Sequence, residues 1–221
     1  MKKTVAILLL AAVLALTFSG CGNSEAAESA KESPKNNFIG YGIQVGGLVW
    51  RILDVQDEKI LIISENVVSA RAYHSQNTEI TWEQCDLRAY LNGEFYENTF
   101  SPEEKNDIAE TTVITNSNSK HGTPGGNTVT DKIFLLSMEE VEAYFKNNPP
   151  ALTPGENVLW WWLRSPGKSG SRAACVHNSE GILDTGGLNV DESNGVRPVL
   201  WLKINLDEID WQDNGNAVNA T

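Results

Sequence analysis

The chain has 221 residues, 41% apolar and 21% charged, an ordinary globular composition with enough length for a sizeable core. It sets 17 basic against 29 acidic side chains, a formal charge of −12. That balance argues against nucleic acid, which is bound through Lys and Arg on phosphate, and against lying flat on an anionic leaflet.

The first twenty residues stand apart from this globule. Lys2 and Lys3 form a positive start, Val5 to Leu16 is an apolar run, and small residues lead up to Cys21. The run is too short to cross a bilayer, so residues 1–20 are expected to be a secretory signal peptide. Ser19-Gly20-Cys21 resembles the lipobox of bacterial lipoproteins, with Phe18 where that motif has an aliphatic residue. The resemblance implies that Cys21 is lipidated and becomes the mature N-terminus. The protein would then sit on the extracytoplasmic face of the cell membrane, held by a lipid anchor. Residues 21–37 are small and polar without apolar period, and are expected to be a flexible tether.

Cys85 and Cys175 are the only other cysteines. Two readings stand: a disulfide, which an oxidising compartment permits, or two small buried core residues. There is no Cys-x-x-Cys and no His/Cys spacing suited to zinc, so no metal and no cofactor are expected.

Residues 38–204 are expected to form a single α+β domain, followed by a polar tail, 205–221. Ile43–Val45, Leu48–Val55 and Lys59–Ser64 read as strands, the last two forming a hairpin about a polar turn. Three capping boxes announce helices: Thr81 with Gln84, Ser101 with Glu104, and Ser137 with Glu140. In the first, Leu87, Tyr90 and Leu91 make one apolar stripe and Gly93 is the expected stop. In the second, Pro102 takes the first helical position. In the third, Val141, Tyr144 and Phe145 repeat the stripe, and Asn147–Pro150 ends it.

Between the second and third helices, 111–131 is rich in Thr, Asn, Ser and Gly and reads as a long exposed loop. Lys132–Leu136 reads as a short buried strand. Arg172–Val176 and Gly187–Val190 flank a Gly- and Asp-rich reversal, and Asn194-Gly195 is a turn signal before a closing strand that runs to Lys203.

Two apolar runs form the expected heart of the fold: Trp160–Gly167 and Gly195–Leu202, each interrupted by one arginine. A strand that is apolar on both faces is covered on both sides. The tryptophans are therefore core, or one of them is an exposed stacking platform. Arg164 and Arg197 must be paired if buried. They are either internal clamps or a fork for a ligand carboxylate or phosphate. Asp184, Asn189, Asp191, Glu192 and Asn194 make an oxygen-rich segment whose spacing does not match an EF-hand loop; it is a calcium site or a run of solvated turns. His74, His121 and His177 lack metal or triad spacing, and no nucleophile elbow appears, so no catalytic residue can be named.

Trp50-Arg51-Ile52-Leu53-Asp54, Thr81–Arg88, Asp131–Ser137, Trp161–Gly167 and Gly195–Leu202 come in the order of an uncharacterised bacterial surface and lipoprotein domain family, which the chain resembles over about Phe38 to Lys203. More distantly, the tryptophan–arginine strand and the closing Gly-Val-Arg strand are similar to the C-type lectin-like fold shared with formylglycine-generating enzymes. That implies two to three short helices on a twisted, mostly antiparallel sheet, with long loops as a binding face. The calcium-dependent lectin signatures are absent.

The resulting expectation is a non-enzymatic, lipid-anchored module that binds a glycan or a surface protein. Its ligand would meet the loops at 111–131, 165–171 and 177–195. The ligand-binding candidates are Trp161, Arg164, His177, Asp184, Asn189, Asp191 and Asn194. Trp50, Arg164, Arg197 and Trp201 are the structural candidates. An enzyme of the formylglycine-generating type and a purely structural surface domain are the alternatives.

Overall fold

The computed structural model describes residues 7–8, 38–56, 58–145, 158–177 and 180–203. Cys21, the tether, the helix stop at 147–150 and the tail lie outside these residues. In chain order the first strands are β1 (Ile7–Leu8), β2 (Gly42–Val45), β3 (Leu48–Gln56), β4 (Lys59–Ser64), β5 (Ser69–Ala72), β6 (Thr111–Val113) and β7 (Val129–Asp131). They are followed by β8 (Trp160–Pro166), β9 (Arg172–His177), β10 (Leu183–Asn189), β11 (Ser193–Val196) and β12 (Val199–Lys203). The helices are α1 (Asp86–Tyr90), α2 (Tyr96–Thr99), α3 (Pro102–Asp107) and α4 (Met138–Phe145).

The result is α+β: a few short helices beside two mostly antiparallel five-stranded sheets and a two-stranded ribbon, none of them closed into a barrel among the described residues. The first sheet runs β1-β2-β3-β4-β12, the second β10-β9-β8-β11-β5. The expected hairpin is β3–β4, pairing Ile52 with Ile62, with a register shift between Ile52 and Asp54. Ile60, Leu61, Ile62 and Ile63 are all buried, so β4 is covered on both faces, as its unbroken aliphatic run requires.

The two tryptophan runs do meet. β8 and β11 lie parallel with Gly195 opposite Trp161. After Val196 the closing run changes sheet, and β12 pairs with β4. Arg197-Pro198 is the crossing. Proline has no N–H for a ladder, so the strand breaks there. One cluster of buried side chains spans both sheets, from Trp50 and Ile62 to Trp161, Trp162 and Leu200.

Five expectations are corrected. Thr81 does not cap a helix: its side chain makes no capping bond, Trp82–Gln84 is a 3-10 turn, and α1 is capped by Cys85, whose Sγ accepts from Arg88 N. Thr81 is instead packed on Gly126, where an added Cβ would lie 2.8 Å from its side chain. Gly93 does not stop the helix. The chain continues through a π-helical turn, Leu91–Phe95, into α2, with Leu91 and Phe95 buried. Lys132–Leu136 is no strand: Ile133, Phe134, Leu135 and Leu136 are buried, Lys132 is only half-buried, and Phe134 alone of the five makes a bridge, to Val199.

Residues 111–131 are not wholly exposed. The segment is based on the β6–β7 ribbon, and Thr115, Asn118 and Thr123 are buried. Finally, Asn194-Gly195 is strand, not turn. Gly195 is needed for closeness, since a Cβ there would meet Trp160 O and Val67 Cγ2 at 2.9 Å. The Ser101–Glu104 and Ser137–Glu140 boxes are both present, with Pro102 opening α3.

Candidate functional site

Asn118 organises the loops. Its side chain is fully buried, and its Nδ2 donates to Pro166 O (2.9 Å), Gly167 O (3.2 Å) and Thr185 O (2.8 Å). Its Oδ1 accepts from Lys120 N and His121 N. One amide thus ties segment 111–131 to the turn after β8 and to β10. The three segments expected to form a binding face are cross-braced. Close approach of backbone supports the brace: a Cβ on Gly125 would fall 2.0 Å from Thr115 O, and one on Gly187 2.0 Å from Ala173 O.

Beside this face lies a cleft of about 330 Å³, between β6, α4 and the first sheet. At its polar side Arg164 is held by four acceptors. Its Nη1 donates to Leu135 O (2.7 Å) and to Glu140 Oε2, and its Nη2 donates to Glu140 Oε1 (2.8 Å) and Ile114 O (3.1 Å). Glu140 accepts from Ser137 N as well, so one carboxylate both caps α4 and pairs the arginine. Two polar atoms of the cleft residues are buried with no hydrogen-bond partner, Arg164 Nε and Glu139 Oε2. Phe134, Tyr144 and Trp201 supply aromatic wall. Burial, reinforced by Asp54 and Glu140, pushes the Tyr144 phenol up to about 12, so it stays a neutral donor.

The ligand-binding candidates do not gather in one place. Trp161 is buried under the Arg197 guanidinium, 5.0 Å from its ring, and offers no platform to solvent. His177 stands edge-on to the half-buried Trp160 at 4.7 Å. Asp184 folds its own turn, accepting from Gly186 N and Gly187 N. Asn189 links Arg172 to Glu192. Asp191 is exposed, and Asn194 is buried in β11 with no acceptor for its Nδ2. Only Arg164 lines the cleft.

Among the structural candidates, Trp50 is buried and donates to Val45 O (2.9 Å), while Lys59 lies 4.5 Å over the Trp201 ring. Arg197 is fully buried and donates to Ser64 O and Glu65 O. Cys85 and Cys175 are free and buried, and burial pushes both thiols up to about 12. Among the described residues no three His, Cys, Asp or Glu side chains are grouped to hold a metal, and no helix is long and apolar enough to cross a membrane.

Sequence reasoning missed Asn118, which sits in a polar stretch without period, and Glu139, which no motif marks. Glu140 was visible only as a cap.

No curated protein and no solved structure matches the chain. Residues 57–204, more than half of its length, match a family model described as a domain of unknown function (DUF6273). The match begins after Trp50–Asp54, so that motif lies outside it. The chain belongs to this uncharacterised domain family.

Proposed function

We propose that the protein is a lipid-anchored extracytoplasmic ligand-binding module, of C-type lectin-like character, that takes a glycan or a surface protein on the face built from segments 111–131, 165–171 and 177–195. The observation that carries this reading is the buried Asn118 amide, which locks the three segments to one another. A loop face fixed before the ligand arrives loses little entropy on binding, and preorganisation of this kind is what a recognition surface requires.

The acidic balance and the lipobox-like Ser19-Gly20-Cys21 favour a soluble body tethered at a membrane surface. Formylglycine-generating chemistry calls for a reactive cysteine pair. Two buried thiols raised to about 12 hold almost no thiolate at neutral pH, which weighs against that alternative.

The test is a glycan and cell-wall binding array, with and without calcium, on the chain lacking residues 1–21, in parallel with Asn118→Ala. Binding that the variant loses supports the reading; a blank array across all ligands sinks it. Fatty-acid labelling of cells that express the wild type and Cys21→Ser tests the anchor, and label that survives the substitution would remove it.

A further inference from the structure

One end of the first sheet sets two like charges side by side. Lys59 opens β4, Lys203 closes β12, and the two stand directly opposite each other in the ladder. Like charges so placed repel and destabilise the pairing unless something negative answers them. Their own surroundings supply nothing of the kind. The Lys59 ammonium lies 4.5 Å over the Trp201 ring, and Lys203 Nζ reaches only the carbonyl of Asn106, at 3.4 Å. Among the described residues no carboxylate pairs with either lysine, and Glu58, in the turn beside Lys59, makes no ion pair. The neighbouring lysines are answered from within. Lys105 pairs with Glu97 at 2.6 Å, and Lys132 donates to Tyr96 Oη with Glu110 and Glu97 in range.

The sequence that follows Lys203 carries the missing charge. Residues 204–221 hold Asp207, Glu208, Asp210 and Asp213 and no Lys or Arg. These acids stand four to ten positions beyond Lys203, a contour of about 13–33 Å at roughly 3.3 Å per residue. The two ammonium groups sit on adjacent strands where that segment begins, so both are within its reach. A segment attached at the spot also has a far higher effective concentration there than a free partner. The family match stops at residue 204, so these acids lie outside the part of the chain that the family model covers.

We infer that residues 205–213 form an acidic strap that folds back, within the same chain, onto the Lys59–Lys203 pair. The strap is independent of the loop face and of what that face binds.

The experiment is a charge cycle on the full chain, read by thermal unfolding at low salt and at about 1 M NaCl. One variant neutralises the strap (Asp207→Asn, Glu208→Gln, Asp210→Asn, Asp213→Asn), a second neutralises the pair (Lys59→Gln, Lys203→Gln), and a third combines them. Neutralising the strap should lower the low-salt midpoint by about 2–4 °C, the scale of two or three exposed ion pairs in a domain of this size. The shift should vanish at high salt, and the third variant should match the second, because the pair is already gone. An unattached tail gives the opposite sign. Removing four negative charges from a chain of net charge −12 relieves repulsion and leaves the midpoint level or raises it.

Carbodiimide cross-linking then identifies the occupant: Lys59 should join a carboxylate of 207–213 in the same chain. A level or raised midpoint, or a fall that survives high salt or the lysine substitutions, overturns the strap. So does the absence of any link to Lys59, or links that join only separate chains, which would make the occupant a second copy.

Discussion

Replacing Asn118 by Ala removes two amide protons shared among three carbonyls and an oxygen that serves two backbone N–H groups. Lys120 and His121 are exposed, so their N–H groups can turn to water. The carbonyls of Pro166, Gly167 and Thr185 are left behind a buried gap. Each buried group left unmade costs about 1–3 kcal/mol; with two protons lost, the net is about 2–4 kcal/mol. For a urea slope near 2 kcal/mol/M the midpoint should fall by about 1–2 M with the slope unchanged. Asn118→Asp separates the brace from simple packing. It keeps the acceptor for Lys120 and His121 but sets a carboxylate against three carbonyl oxygens, so it should be worse than Ala. Urea unfolding followed by fluorescence reads both variants. If Ala costs less than about 0.5 kcal/mol, or Asp is no worse than Ala, Asn118 is not the brace described.

Glu140→Gln leaves Arg164 buried without its carboxylate and weakens the α4 cap; the loss should be about 2–4 kcal/mol, seen by calorimetry as a midpoint lower by roughly 6–12 °C. Gly93→Ala should stabilise by about 0.5–1 kcal/mol, since Gly93 lies inside a helical turn with nothing within 4 Å of the new Cβ; a destabilised variant would show that the π turn needs glycine. The thiols of Cys85 and Cys175 are raised by burial from the ordinary 9.0 to about 12. The folded chain keeps protons that the unfolded chain releases, so stability is full below about pH 9 and falls as pH rises toward 12. Urea midpoints across that window should show the decline, and Cys175→Ala should flatten it; a midpoint flat to high pH contradicts the burial of the thiols.

What the sequence made legible were features set by near neighbours. The β3–β4 hairpin follows from two aliphatic runs about a polar link, and the caps at Ser101 and Ser137 follow from a hydroxyl and a carboxylate three residues apart. The errors fall where distant parts of the chain decide. Thr81 has the spacing of a cap, but Gly126 packs against its side chain. Asn194-Gly195 has turn chemistry, yet β5 and β8 flank it and make it strand. Gly93 is a helix breaker by propensity, and burial of Leu91 and Phe95 on either side carries the helix through it. Propensity is a weak prior, and tertiary packing overrode it in each case. The site was less legible still. Asn118 acts through carbonyls 48 to 67 positions away, which leave no trace in local pattern.

The two arginines that interrupt the tryptophan runs look alike in sequence but solve different problems. Arg164 has a carboxylate, and its fork ties α4, Leu135 and the end of β6 together. Arg197 makes no carboxylate contact among the described residues; burial drives its pKa down, to about 9, while Glu65 at greater range pulls it back up. Its partners are Ser64 O at 3.1 and 2.8 Å, Glu65 O at 3.1 Å, and the Trp161 ring. These stand where the closing strand leaves one sheet for the other and Pro198 supplies no N–H. The carbonyls at the end of β4 therefore need a donor from a side chain. A planar fork reaches adjacent carbonyls with its donors already oriented, whereas a lysine offers one compact, strongly hydrated charge. Arg197 and Pro198 therefore act as one device: the proline breaks the ladder and the arginine satisfies the carbonyls that the break exposes, which is how a single closing run can serve two sheets.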